Sequence, residues 1–67
     1  MTPKRLATVL QIQREAKGLT QENLAKRAKV ARSYLAKLEA GHSTNPSLAV
    51  LKRLAKALGV PVAKLLE

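Results

Sequence analysis

Arg32, Ser33, Ala36 and Lys37 are the residues whose types and spacing suggest chemistry. They fall within RSYLAKLEA, where Leu35 and Leu38 mark one face at helical spacing. Successive helical residues are about 100° apart, so turning Leu35 and Leu38 inward leaves Ser33, Lys37 and Ala40 outward. Ala36 then lies on the flank, and Arg32 projects from the first turn. Arg and Lys match the O6 and N7 acceptors of guanine, and a Ser hydroxyl pairs with several bases. Ala36 and Ala40 are short enough to let a helix approach a groove floor, and Ala36 suits a thymine methyl. On an isolated helix the plainer reading would hold, that Arg32 and Lys37 are solvated charges. The surrounding elements have to decide.

Catalysis has little to work with. The chain has no Cys and no Asp, and His42 is its single His, so hydrolytic triads and metal clusters lack parts. No Gly-rich phosphate loop is present. The expectation is a protein that is not an enzyme and uses no metal and no cofactor.

Composition narrows the partner. Thirteen Lys and Arg against four acidic residues give a formal charge of +9, which points to a polyanion or an acidic membrane surface. Lys and Arg are spread over the whole chain rather than along one polar face, which argues against a membrane role. Tyr34 is the sole aromatic residue, too few for the stacking platforms that bind single strands. The longest apolar run is Leu48 to Leu51, too short to span a bilayer, and the N-terminus lacks a signal-peptide core. Absence of Cys is compatible with a reducing compartment, so a cytoplasmic location is expected. Sixty-seven residues, 46% of them hydrophobic, suffice for one small domain over residues 1–67.

Every element reads as helical. Thr2 and Pro3 suit a helix start, and Leu6, Val9, Leu10 and Gln13 mark one face of a helix running to about Lys17, stopped by Gly18. Thr20 caps a second helix carrying Leu24, Ala25 and Ala28, with Glu22 placed against its positive end. Ala25 is small, as two steeply crossing helices require at close approach, and Val30 plugs the turn to the third helix. Gly41 ends that helix and opens the longest loop, to Pro46. Ser47 caps a fourth helix in which Leu48, Leu51, Leu54, Ala55 and Leu58 are expected on the inner face. Gly59 ends it, and Pro61 opens a last short helix through Leu65 and Leu66.

GLTQENLAKRAKV followed by YLAKLEAG resembles the phage repressor and Cro (XRE-type) helix-turn-helix regulators, over about Leu6 to Leu66. The resemblance implies an all-α, five-helix, lambda-repressor-like DNA-binding domain, with the helix-turn-helix formed by helices 2 and 3. It assigns base reading to Arg32, Ser33, Ala36 and Lys37. Thr20 and Gln21, at a helix start whose free N–H groups suit a phosphate, take the DNA backbone. His42 and Thr44 match a loop that often touches it as well. The Tyr34 hydroxyl either reaches a phosphate or covers the core edge. Arg14 and Glu39 match a partly buried ion pair that ties the first helix to the recognition helix, and Val60, Pro61, Val62 and Leu66 match a dimer surface. Two positions depart from the family pattern. Lys29 replaces a common Gly, so the turn either avoids positive φ or carries strain, and Ala31 replaces a capping Ser or Thr.

The resemblance implies a sequence-specific regulator of double-stranded DNA. It would be a small repressor acting as a homodimer on a near-palindromic operator, like Cro-like proteins and restriction controller proteins. The alternative is an antitoxin-like interaction module that binds a protein partner such as a toxin, with DNA secondary. A sequence-neutral polyanion binder is a third reading, which the mixed reading face of Arg32, Ser33 and Lys37 argues against.

Overall fold

The computed structural model describes residues 3–42 and 46–66, and these form helices joined by short turns, with no strand among the described residues. In chain order they are α1 (Pro3–Ala16), α2 (Gln21–Ala28), α3 (Arg32–Glu39), α4 (Leu48–Leu58) and α5 (Ala63–Leu66). The expected Thr2 cap, and Ser43, Thr44 and Asn45 of the long loop, lie outside the described residues.

Two helix starts are closed by side chains anticipated for them. The Asn23 N–H donates to Thr20 Oγ1 at 3.0 Å and the Val50 N–H to Ser47 Oγ at 3.2 Å. Each satisfies an amide that the helix itself leaves unpaired, a contribution of about 1 kcal/mol. The helix ends share one pattern, in which an amide reaches back five residues across a left-handed residue. Leu19 donates to the Arg14 carbonyl over Gly18, Val30 to Ala25 over Lys29, His42 to Lys37 over Gly41, and Val60 to Ala55 over Gly59. The first helix therefore stops at Ala16, one residue before the expected end.

The turn before the third helix does adopt positive φ. Lys29 sits at φ 59° and ψ 44°, the single non-Gly residue with positive φ among the described residues. Its Cβ crowds the following carbonyl there, at a cost of about 1–2 kcal/mol.

The core is one cluster to which every helix contributes. Leu6 and Leu10 come from α1; Leu24, Ala25 and Ala28 from α2; Leu35 and Leu38 from α3. α4 adds Leu51, Leu54, Ala55 and Leu58, and α5 adds Leu65. Val30 packs against this cluster from the turn, as expected. α2 packs on α3 and α4, α1 packs on α3, and α5 fits against α1 and α4. α3 thus rests on two helices at once, and burial of its leucines fixes which face is left outside.

Two assignments change. Leu48, expected inside, is 54% exposed. Helical side chains lean toward the N-terminus, so Leu48, the first residue of α4, overhangs the helix end instead of covering the core beside Leu51. Ala7, which the periodicity did not single out, is buried.

Candidate nucleic-acid interface

Leu35 and Leu38 are fully buried, and the helical turn then leaves Arg32, Ser33, Lys37 and Ala40 exposed, with Ala36 half-buried on the flank. The polar stripe inferred from the wheel is therefore the solvent face of α3. Neither Arg32 nor Lys37 makes an ion pair or side-chain hydrogen bond among the described residues, so both are open to an external acceptor.

The two ends of α3 are held in different ways. At the start, Ala31 has extended dihedrals (φ −67°, ψ 140°) and no side-chain capping bond, while its carbonyl accepts the Leu35 N–H at 3.1 Å. At the far end, Glu39 is gripped by Arg14 through two parallel bonds. Arg14 Nε donates to Glu39 Oε2 at 2.8 Å and Nη2 to Oε1 at 2.9 Å. The side chains are only 12% and 4% exposed, so this pair sits largely out of water. Arg14 Nη1 also donates to the Leu19 carbonyl at 2.7 Å, and Gln21 Nε2 to Glu39 Oε1 at 3.2 Å. The end of α1, the start of α2 and the end of α3 are thereby joined at one carboxylate.

This fork of bonds to Glu39 raises the Arg14 pKa, against desolvation that would lower it, and the charges of Glu39 and Glu15 add to the rise. Arg14 is charged at any physiological pH. A pair this well bonded positions α3; removing one partner would leave the other charge stranded in a poorly solvated place.

The other assigned positions are distributed as follows. Thr20 is exposed, and its hydroxyl oxygen accepts from Asn23 while the O–H stays available as a donor. The Gln21 amide nitrogen is engaged on Glu39, a link the sequence reading did not foresee. Tyr34 is half-buried and packed against the core cluster. His42 is exposed just past α3, and Thr44 lies outside the described residues. Val60 and Val62 are half-buried against the core, Pro61 is exposed, and Leu66 is 43% exposed.

A family model described as helix-turn-helix matches residues 4–65. The chain belongs to the XRE-type helix-turn-helix family. This is a non-enzymatic family of transcription regulators. The transcriptional regulator SinR of Bacillus subtilis is 41% identical over 54 residues, covering 81% of this chain and 49% of SinR. The immunity repressor of Bacillus phage phi105 is 46% identical over 50 residues, covering 75% of this chain and 34% of that protein. The chain thus spans less than half the length of either. Among solved structures, the restriction-modification controller protein C.AhdI of Aeromonas hydrophila superposes with a TM-score of 0.90 at 36% identity, covering 94% of each chain. SinR in complex with DNA superposes with a TM-score of 0.88 at 35% identity, covering 92% of this chain and 98% of that one. A complex of SinR with the SinI protein has also been solved; it matches at 35% identity with a TM-score of 0.87, covering 92% of this chain and 60% of that one.

Within this XRE-type domain α2 and α3 are the helix-turn-helix, and the Arg14–Glu39 pair lies behind it rather than on the exposed stripe of α3. Sequence reasoning missed the Gln21 and Leu19 bonds that complete the network. The Gln21–Glu39 link spans 18 residues and forms only where α2 packs on α3, while the Arg14–Leu19 link closes over the turn at the end of α1, five residues apart, where the wheel carries no signal.

Proposed function

We propose that this chain is the DNA-reading part of a transcription regulator, placing α3 in the major groove of double-stranded DNA. Arg32 and Lys37 donate to guanine edges, Ser33 adapts to its base, and Ala36 contacts a thymine methyl. Thr20, Gln21, Tyr34, His42 and Thr44 supply backbone contacts, which fix register without carrying sequence. The observation that carries the reading is the exposed stripe on α3, whose donors have no partner among the described residues, on a helix whose opposite face and far end are both anchored. The solved SinR–DNA complex supports it by fold likeness.

The finer form of the proposal is a repressor that acts as a homodimer on a near-palindromic operator, in the cytoplasm. Two reading heads then enter successive major grooves about 34 Å apart, with Val60, Pro61, Val62 and Leu66 as the surface between chains. The partial exposure of Leu66 and the exposure of Pro61 support this choice of surface.

The test separates reading from charge. Arg32→Ala or Lys37→Ala should lose about 1–3 kcal/mol on a site selected from random duplexes and relax base preference locally. Lys52→Ala, an exposed position on α4, should leave the preference intact. Binding is measured on the selected site, its single-base variants and random duplex at several salt concentrations. Equal weakening on every duplex would replace reading with plain charge.

A second reading, an interaction module for a protein partner such as a toxin, draws support from the SinR–SinI complex. Co-purification of a stoichiometric partner that displaces DNA would favour it.

A further inference from the structure

Most of the positive charge lies away from the stripe on α3. Arg27 and Lys29 at the end of α2, and Arg53 and Lys56 on α4, converge on one open cleft of about 480 Å³. Ala28 and Ala57 also line it, Ala28 buried and Ala57 half-buried, so its floor is made of short side chains and its exposed rim is cationic. No residue of α3 lines it.

The simplest account is that cations gather at helix C-termini to offset the partial negative charge there. That accounts for about half a unit charge per helix end, or roughly one unit for two ends. Four cations leave a surplus of about three. No acidic neighbour neutralises it among the described residues. Glu39 is bonded to Arg14 and Gln21, Glu15 lies 4.0 Å from Arg14, and Glu22 is in the first turn of α2, at the opposite end from Arg27 and Lys29. None of the four cations makes an ion pair or side-chain hydrogen bond among those residues.

We propose that this cleft between α2 and α4 is a binding site for a compact polyphosphate ligand, separate from the surface that α3 presents. Its volume falls within the range of about 300–1,000 Å³ typical of small-molecule sites. The guanidinium groups of Arg27 and Arg53 suit paired phosphate oxygens, and Lys29 and Lys56 add point charge. A ligand carrying three or more negative charges matches the surplus, and its small size suits a concave floor of alanines. Lys29 also forms the left-handed turn into α3, so an occupied cleft holds that turn to α4.

The experiment uses the DNA-free chain with inorganic tripolyphosphate, read by calorimetry and by thermal melting. Saturable one-to-one binding with a raised Tm is expected. Arg53→Gln with Lys56→Gln should weaken it about tenfold or more, whereas Lys52→Gln with Lys64→Gln, an equal loss of charge outside the cleft, should change it by about twofold or less. A glutamate peptide of equal charge should bind about tenfold more weakly. Equal loss in both double variants would show diffuse charge attraction and overturn the site, as would equally tight peptide binding or no saturable tripolyphosphate binding. If the cleft variant weakens only duplex binding, the cleft is part of the DNA surface and the proposal fails.

Discussion

The two ends of α3 bring order to the same helix by opposite means. Its C-terminal end is tied down by a bidentate ion pair held largely out of water and by two further hydrogen bonds, drawn from the end of α1, the turn after it and the start of α2. Its N-terminal end has an alanine where a capping side chain would sit, preceded by a lysine held at positive φ. One end stabilises the fold and the other costs it stability, yet both keep their geometry. The cost at the N-terminal end is borne by the burial of Val30, Leu35 and Ala28 around it. The turn before α3 is therefore held by the packing on both sides of it together with the Val30–Ala25 backbone bond, whereas the far end adds side-chain bonds of its own.

The largest expected effect is at the anchored end. Arg14→Ala or Glu39→Ala should each destabilise by about 3 kcal/mol or more, because the remaining charge is left with few partners. The double variant should lose clearly less than the sum. Thermal or urea melts of the four proteins measure this, and strictly additive losses would show that the pair contributes no coupling.

Ala31→Ser sharpens the other side. Ala31 already has the extended dihedrals of a cap, so a Ser oxygen there can accept an unpaired amide of the first turn. A gain of about 1 kcal/mol is expected. For a domain of this size that corresponds to a rise in Tm of roughly 4–8 °C. An unchanged Tm would mean that the start of α3 is not limited by its missing cap.

Lys29→Gly is the smallest of the three. It relieves the left-handed strain but adds freedom to the unfolded chain, so a net gain of about 0.5 kcal/mol is expected. The contrast is Gly59→Ala, at φ 71° with no heavy atom within 4 Å of an added Cβ, where a loss of about 1 kcal/mol is expected from backbone strain alone. If Lys29→Gly destabilised the protein, the lysine side chain would be making a contribution larger than the strain.

Much of the architecture was readable locally. Helix starts at Thr20 and Ser47, helix ends at Gly18, Gly41 and Gly59, and the inward leucines of α3 each follow from a residue type and its near neighbours. The exposed stripe on α3 was readable for the same reason, since Leu35 and Leu38 orient the helix and the rest must face out. The Arg14–Glu39 pairing was implied by family resemblance rather than by spacing. Its Gln21 extension was not readable, because no local rule links α2 to the end of α3, and its Leu19 extension turns on where the Arg14 side chain points once it has paired with Glu39.

What the sequence determined by itself is thus the set of helices, most of their boundaries and the outward face of the recognition helix, all governed by interactions within a few residues. The tertiary structure decided what depends on which helices meet. It left Leu48 outside, because the side chain of the first residue of α4 leans toward the N-terminus, past the helix end. It set Lys29 in a conformation its own side chain disfavours, because burial around the turn outweighs the strain. It closed a network on Glu39 across α1, α2 and α3, and it brought the cations of α2 and α4 around one cleft. Those outcomes rest on contacts between residues far apart in the chain, which form only once the leucine core has packed.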